Sequence, residues 1–317
     1  MSTQSERDTP TVPAYTEAPT VDSQNFQSEA HDSKSRFKGA CSTIENIDHI
    51  PAEAEAPPSR PESPESSENF DPEIGGEGNG GTYHQGANAD SVAEYLYKIW
   101  DDSVRPREFL GTDSEDGIEA ILTDLQGHSL HEFISGDDPL RPIIDFDLPK
   151  EKFDKIEPKL TGKEIQNLLC RAFSKTCREI YPEWDPHTLT IASSSNKKKM
   201  SYHISTFGLR LKNIAKVASF TKLVRDKLPV GLQADRIVDN IAKKSSFSLR
   251  MLGTPKVIEI KCEKTGKITY KHERVKKAFF PKDSPVFDFM LRPPNDESPE
   301  VDSPLLVVPE PPSILAR

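Results

Sequence analysis

The chain has 317 residues, of which 51 are acidic and 41 are basic, so its formal net charge is −10. Only 34% of the residues are hydrophobic and 27 are prolines, which excludes one compact domain running from end to end. No apolar run approaches the roughly 18 residues of a membrane span, and no signal segment begins the chain. The four cysteines form no CxxC pair, which excludes a disulfide scaffold and a clustered-cysteine zinc finger. We therefore expect an intracellular protein of a reducing compartment that is not secreted and does not enter a membrane.

The charge is distributed unevenly along the chain. The net charge is −12 over residues 1–90, −9 over 91–190, +16 over 191–282 and −5 over 283–317. A strongly basic segment inside an acidic protein indicates a surface that binds a polyanion. A solvated lysine-rich face would explain the same charge.

Composition divides the chain into three parts. Residues 1–88 are acidic and rich in Pro, Ser, Glu and Gly, with too few aliphatic residues to offset the entropy of ordering, so we predict a disordered arm. We predict a second disordered, Pro-rich tail over 292–317, whose apolar patch Leu305–Val308 is either a docking segment or a fragment of extended chain. Both arms are candidates for binding protein partners. The folded core is predicted over 89–291.

Hydrophobic periodicity gives the predicted elements of the core. In chain order they are a helix over 90–100, a strand over 141–148, a helix over 161–180, strands over 188–192 and 200–207, a basic helix over 209–228, and short strands over 237–241, 248–252, 257–260 and 267–270, the last after a turn at Thr265-Gly266. The helix over 161–180 is the clearest, because Thr161 and Glu164 form a capping box before it. Strands interleaved with helices favour an α/β or α+β fold.

The first chemical motif is the pair Asp145 and Asp147, which follows Ile143 and Ile144. Side chains two residues apart on a strand point to the same face, so the two carboxylates are expected to project together. A buried carboxylate pair repels itself unless a cation lies between the charges, and Mg²⁺ or Mn²⁺ suits oxygen ligands. The alternative is a strand end with two solvated aspartates.

The second motif places Lys199, Ser201 and His203 on one face of a strand. An ammonium, a hydroxyl and an imidazole can all donate to phosphate oxygens, so this face is a candidate phosphate site. The alternative is a hairpin strand that carries a lone histidine.

The third motif is Asp239, which ends an apolar run and could complete a three-carboxylate metal site with the first pair. Arg250 and Lys256 follow it and could neutralise phosphates in front of the metal. Taken singly, each of these residues is a surface charge.

In this order, hydrophobic-DxD, SxH and hydrophobic-D resemble the three motifs of the archaeo-eukaryotic primase superfamily, and most of all its PrimPol-like branch of eukaryotes and large DNA viruses. That branch has a lysine two residues before the serine, as Lys199 is here. It also has an arginine 11 and a lysine 17 residues after the third aspartate, at the positions of Arg250 and Lys256 relative to Asp239. His131-Glu132-Phe133 is similar to the lead-in to the first motif. The resemblance covers about residues 130–260.

The chain departs from this pattern in four ways. Asp147 stands where close eukaryotic relatives have glutamate, and Phe247 stands where some relatives have a second arginine. No cysteine-histidine zinc module follows the motifs, and no GxxxxGK[ST] helicase loop is present. The departure at Phe247 weakens the expected hold on a triphosphate.

The resemblance implies an α+β primase catalytic core, in which an α/β module packs on a sheet with the topology of an RNA-recognition motif. It implies a template-dependent nucleotidyltransferase, a DNA primase or polymerase, that uses two divalent ions, Mg²⁺ or Mn²⁺. Its partners would be a single-stranded DNA template and nucleoside triphosphates, its location nuclear or mitochondrial. The implied catalytic and metal-binding residues are Asp145, Asp147 and Asp239, and the implied nucleotide-binding residues are Lys199, Ser201, His203, Arg250 and Lys256.

Two other functions remain open. One is a catalytically weakened primase-fold protein that binds single-stranded nucleic acid, and the other is an unrelated basic adaptor with long arms. The presence of all three acids and of His203 argues against the first alternative. The ordered triplet argues against the second. Priming and extension, and ribonucleotide and deoxyribonucleotide preference, are not distinguished by these motifs.

Overall fold

The computed structural model describes residues 82–308, with the exception of 262–265 and 267. Most of the predicted acidic arm and the residue Thr265 of the predicted turn therefore lie outside the described residues. The arm was predicted to reach residue 88, but residues 82–88 are described and His84–Gly86 pair with a neighbouring strand, so the folded core begins earlier than predicted. The described chain forms a mixed α+β fold. Its helices are α1 (Glu115–Asp124), α2 (Lys150–Phe153), α3 (Gly162–Ile180) and α4 (Ile214–Asp226). Its strands are β1 (His84–Gly86), β2 (Tyr97–Asp101), β3 (Glu108–Thr112), β4 (Leu130–Ser135), β5 (Ile144–Pro149), β6 (Leu189–Ser193), β7 (Lys199–Thr206), β8 (Arg210–Leu211), β9 (Val238–Asp239), β10 (Ser246–Arg250), β11 (Lys256–Lys261), β12 (Ile268–Glu273), β13 (Lys277–Phe280) and β14 (Glu300–Val301).

The first sheet is antiparallel and has the strand order β1-β3-β2-β4-β10. Side chains along its strands alternate between the two faces of the sheet. One face buries Ile99 and Leu110 against Ile118 and Ile121 of α1. The helix begins at Ser114, whose hydroxyl accepts a hydrogen bond from the backbone N–H of Gly117 at 3.1 Å. Burial of these four aliphatic side chains fixes which face of the sheet is covered.

The second sheet is also antiparallel, with the order β13-β6-β7-β5-β9. Helices α3 and α4 cover the face from which Phe146 projects, and the rings of Phe173 and Phe220 meet there at 5.2 Å. The hydroxyl of Thr221 in α4 donates to the carbonyl of Ile143 at 3.0 Å, just before β5. The opposite face of β5 is therefore the one that carries its polar side chains.

Helix α3 confirms the capping box predicted from the sequence. The hydroxyl of Thr161 accepts from the N–H of Glu164 at 3.2 Å, and the Glu164 carboxylate accepts from the N–H of Thr161 at 2.7 Å. The stripe that follows is buried, with Ile165, Leu169 and Phe173 at most 1% exposed. The strands predicted on either side of the turn near Ser193 are also confirmed, as β6 and β7.

Two predicted helices need correction. The helix predicted over 90–100 is a short 3₁₀ turn at Asp90–Val92 followed by β2, because β2 pairs with β3 on one side and β4 on the other. The basic helix predicted from residue 209 begins at Ile214. Residues Arg210–Leu211 instead form β8, and the side chain of Asn213 caps the helix by accepting from the N–H of Lys216 at 3.0 Å. In both cases tertiary pairing overrides local propensity.

Residues 292–308, which composition assigns to the tail, belong to the described fold. The guanidinium of Arg292 donates to the carbonyls of Ser135 and Asp138 at 2.5 and 2.6 Å. Strand β14 pairs in parallel with β8, and Leu306 is 1% exposed. The core therefore extends past its predicted boundary at 291, because contacts with distant strands hold a segment whose own composition is poor in apolar residues. No helix within the described ranges is long and apolar enough to cross a membrane.

Candidate functional site

Three adjacent strands of the second sheet bring the motif residues together. Asp145 on β5 lies directly opposite His203 on β7 and opposite Asp239 on β9. Asp147, one step further along the same face of β5, lies opposite Ser201. Since α3 and α4 cover the other face, these side chains project from the face of the sheet that the two helices do not cover. Motifs separated by more than 90 residues in the sequence thus meet in one row across three strands.

Asp145 is the centre of this row. Its Oδ1 lies 3.4 Å from Nε2 of His203. Burial alone would raise the pKa of Asp145, but the neighbouring His203, Lys276 and Lys199 hold it below its usual value. Burial and the charge of Lys276 lower the pKa of His203, so its imidazole is disposed to be neutral. Its Nδ1 is buried without a hydrogen-bond partner among the described residues.

The other two carboxylates are in different environments. Oδ2 of Asp147 accepts from the ammonium of Lys199 at 2.6 Å, while its Oδ1 is buried without a hydrogen-bond partner in the described part of the chain. Burial, and next the negative charge of Asp145, raise the pKa of Asp239. The carboxylates are therefore close enough to repel one another, which is the condition that a bound cation relieves.

Within residues 82–308, outside the undescribed gaps, no group of three His, Cys, Asp or Glu side chains is arranged to hold a metal ion. Asp147 is paired with the ammonium of Lys199 instead, and Asp145 lies beside the imidazole of His203. The donor set still fits Mg²⁺ or Mn²⁺, because it consists of carboxylate oxygens, one of them unpartnered, on adjacent strands. The metal site thus stays a prediction with a chemically suitable set of ligands.

The predicted nucleotide-binding cations approach from the first sheet and the hairpin that follows it. Arg250, at the end of β10, is 8% exposed, and its guanidinium donates to the carbonyls of Thr254 and Arg274 at 3.0 and 2.7 Å. Burial lowers its pKa to about 10, so it remains charged at neutral pH. Burial, together with the nearby charges of Lys199 and Arg274, lowers the pKa of Lys256. Arg250 is therefore a fixed cation.

Ser201 is 4% exposed, and its hydroxyl is 3.0 Å from the hydroxyl of Ser194. This contact ties the strand that carries Ser201 and His203 to the turn before it. Ser201 is already satisfied by a local partner, so a phosphate would have to compete with Ser194 for its hydroxyl.

Sequence reasoning missed two cations. Lys276 is 2% exposed, and its ammonium donates to the carbonyl of Arg250 at 2.5 Å. Burial, and next the charge of Arg250, lower the pKa of Lys276 to about 7. Arg274 donates from its guanidinium to the carbonyl of Ser194 at 3.0 Å. Both residues lie in a generally basic stretch without a distinctive spacing, so the pairing of strands alone identifies them.

Phe247, a residue at which the sequence departs from the primase motif pattern, faces the core. It is 8% exposed and lies opposite Ile134 of β4. It is three residues from Arg250, so the alternation of β10 directs the two side chains to opposite faces. The substitution therefore removes no cation from the face that carries Arg250.

The lysines of α4 do not share the face of the carboxylates. Lys216 pairs with Asp302 at 2.8 Å, and Lys227 pairs with Glu179 at 2.8 Å. Because α4 packs on the covered face of the second sheet, these two lysines lie on the far side from Asp145. The basic helix is therefore not adjacent to the carboxylate row, and its lysines do not extend a polyanion-binding surface to that row.

The arrangement combines a row of three carboxylates with at least four cationic side chains, Lys199, Arg250, Lys256 and Lys276, whose charges act on them. Such a combination suits a ligand that is itself a polyanion accompanied by a divalent cation. Neither protein-family models nor curated proteins match this chain.

Proposed function

We propose that the protein is a template-dependent nucleotidyltransferase of the DNA primase–polymerase type. The observation that carries the proposal is the row Asp239, Asp145 and His203, directly opposed on three adjacent strands and flanked by buried cations. A structural role explains this row poorly, because the like charges of Asp145 and Asp239 repel one another, and the neighbouring Asp147 has a buried carboxylate oxygen without a hydrogen-bond partner among the described residues. Their retention is understandable where they bind metal and phosphate.

The finer assignment of the fold belongs to the same proposal. In it, the second sheet is the module with RNA-recognition-motif-like topology, because β5-α3-β6-β7-α4-β9 is a β-α-β-β-α-β unit with the strand order β6-β7-β5-β9, and it also carries the carboxylates. The first sheet, with α1, belongs to the α/β module that packs against it. This assignment is supported by the way both sheets contribute to one site: the second sheet supplies Asp145 and His203, and the first supplies Arg250. The ligands we propose are single-stranded DNA and nucleoside triphosphates, with action in the nucleus or mitochondria.

Asp145, Asp147 and Asp239 would hold the two divalent ions, Mg²⁺ or Mn²⁺. Bound there, such ions lower the pKa of a 3′-hydroxyl and stabilise the leaving pyrophosphate. His203 and Lys276 keep Asp145 ionised, so that its oxygens are available as ligands. The fixed guanidinium of Arg250 and the ammonium of Lys256 would offset the negative charge that builds up on the phosphates.

Lys199 has two anionic partners available to it. In the described structure its ammonium neutralises Asp147 at 2.6 Å. The same ammonium, two residues before Ser201 on one face of β7, can donate to a phosphate oxygen. Exchange of the carboxylate for a phosphate would leave Asp147 free to accept a cation.

The test is incorporation of labelled nucleotides on a single-stranded template, with and without a primer, in Mn²⁺ or Mg²⁺. We expect Asp145→Asn and Asp239→Asn to lower incorporation about 100-fold or more, since removal of a metal ligand sacrifices several kcal/mol of transition-state stabilisation. Asp116→Asn, an exposed change in α1, is the matched control and should retain parental activity. If both site variants extend primers at the parental rate with unchanged melting temperatures, the assignment of the carboxylates is refuted.

A second candidate is a primase-fold protein that binds single-stranded nucleic acid with weakened chemistry. The contact between Lys199 and Asp147 favours it, because an ion pair at 2.6 Å neutralises a carboxylate that the metal needs. The same assay separates the two candidates. A parental protein that binds the template tightly, yet incorporates nothing in either metal, supports the second.

A further inference from the structure

The first sheet carries aromatic side chains on the same face as Arg250. Phe109 on β3 lies directly opposite Trp100 on β2, Trp100 lies opposite His131 on β4, and His131 lies opposite Arg250 on β10. The row crosses four adjacent strands, and at about 4.8 Å per strand it spans roughly 14 Å. Phe133 lies two residues from His131 on the same face of β4. We call Phe109, Trp100, His131 and Phe133 the aromatic surface.

The rings of the aromatic surface contact one another across the strands. The centroid of Trp100 lies 5.8 Å from that of Phe109 and 5.9 Å from those of His131 and Phe133. Each of the four residues is only partly buried, whereas the alternating residues Ile99 and Leu110 are at most 1% exposed on the other face. The aromatic surface is thus separate from the core that α1 covers, and helical packing does not account for it.

Cationic side chains border the aromatic surface. The guanidinium of Arg107 lies 4.6 Å from the ring centroid of Trp100. The guanidinium of Arg105 lies 5.2 Å from the ring centroid of Tyr270 on β12, and 3.5 Å from a carboxylate oxygen of Glu259 on β11. The β11–β12 hairpin, part of the segment with net charge +16, therefore lies beside this sheet face.

We propose that the aromatic surface is a stacking platform for the bases of single-stranded nucleic acid, with Arg107 and the β11–β12 hairpin beside it to receive the phosphates. This inference rests on the proposed function, since it specifies where the template of that site lies. Proteins that bind single strands without sequence preference combine aromatic rings with a positively charged track. Every base offers a π-face, and arginine adds cation–π contacts.

Two features favour this surface over the lysines of α4. The row of opposed residues on this surface ends at Arg250. Burial lowers the pKa of Arg250, and the nearby charges of Asp147 and Asp145 oppose that shift. Helix α4, in contrast, packs on the face of the second sheet opposite to the carboxylates. The cations that border the aromatic surface also distinguish a nucleic acid from an apolar protein partner, which would need no phosphate contacts.

The chain has two tryptophans, and this makes a direct measurement feasible. Trp184 is 3% exposed, and its indole N–H donates to the hydroxyl of Thr206 at 3.0 Å. A Trp184→Phe protein would leave Trp100 as the only indole reporter. We expect an oligo-dT strand to quench its fluorescence and an abasic strand of equal length and charge to leave it unchanged.

Binding of the same two strands to otherwise parental protein provides the second measurement. Trp100→Leu should weaken oligo-dT binding about five- to 150-fold, which is what the loss of one stacked base predicts. It should leave abasic binding and the salt slope of binding unchanged, because phosphate contacts are retained. Trp100→Phe preserves a ring and is the matched control, with most of the affinity retained.

Quenching by the abasic strand equal to that by oligo-dT would overturn the proposal, and so would parental oligo-dT affinity in a folded Trp100→Leu protein. Neither strand requires metal or nucleotide, so the result is independent of catalysis. Loss of incorporation in Asp145→Asn together with unchanged binding in Trp100→Leu would refute the platform and keep the enzyme. Stacking at Trp100 without any incorporation by the parental protein would support the stacking platform and refute the nucleotidyltransferase activity.

Discussion

The buried side chain of Lys276 is expected to make the free energy of unfolding depend on pH. Its ammonium is nearly inaccessible to water and donates to the carbonyl of Arg250. Burial, and next the charge of Arg250, lower its pKa from 10.5 to about 7, in spite of the opposing charges of Asp145 and Glu132. In the unfolded chain the lysine keeps an ordinary pKa and is protonated at neutral pH. Folding below pH 7 must therefore bury a charge that prefers water.

The sign and size of the effect follow from linkage. Between pH 7 and about 10.5 the unfolded state binds more protons than the folded state, so the free energy of unfolding rises with pH. The cost is present in full below about pH 7, and it disappears towards pH 10.5. Each pKa unit corresponds to about 1.4 kcal/mol, so the full cost is on the order of 4–5 kcal/mol.

Lys276→Met removes this cost but leaves the carbonyl of Arg250 without its donor, which costs about 1–3 kcal/mol. We therefore expect the variant to be more stable than the parent at pH 6–7 by roughly 1–4 kcal/mol, and less stable near pH 10. Denaturant unfolding across this pH range measures both curves. Lys277→Met, at the exposed neighbouring position on β13, is the control and should run parallel to the parent. Parallel curves for Lys276→Met as well would show that Lys276 has an ordinary pKa.

Two further predictions concern the capping box of α3 and the segment that follows residue 291. Thr161→Ala should lower the free energy of unfolding by about 1–2 kcal/mol in chemical denaturation, since it removes the capping box of α3, whereas Thr161→Ser should lose little. A chain that ends at Leu291 should melt at a markedly lower temperature than one that ends at Val308, because it loses the Arg292 contacts, β14 and buried Leu306; equal melting temperatures would restore the boundary at 291.

The placement of Asp145 and Asp147 on one face of a strand was predictable because its signal is local. Asp145 and Asp147 alternate with buried residues on β5, and the strand burial pattern preserves that alternation. The capping box of Thr161 and Glu164 likewise predicts the start of α3 from four consecutive residues. In contrast, the stripe at Val92 and Ile99 matches a helical period, yet Ile99 lies in β2. Its pairing with β3 and β4 decides the conformation, and no local window contains those partners.

Lys276 and Arg274 were not predictable for a related reason. They follow the β11–β12 hairpin, and the return of the chain from that hairpin brings them beside Arg250 and the Ser194 turn. Strand β10 itself pairs with β4, more than 100 residues earlier in the chain. The spacing of charged residues in the sequence does not show which distant segments the strand pairing brings together. The order of residues 292–308 was not predicted for the same reason, since these residues are held by backbone partners in other segments of the chain.

Arg250 connects the two proposals physically. Its backbone carbonyl accepts from Lys276, and its guanidinium is held by the carbonyls of Thr254 and Arg274. A side chain fixed at this many points loses little entropy when a phosphate arrives, which favours a defined position over a mobile surface charge. The same residue ends the row of opposed side chains that passes through His131 and Trp100. A strand stacked on the aromatic surface would therefore reach the carboxylates at Arg250, where both sheets supply charge.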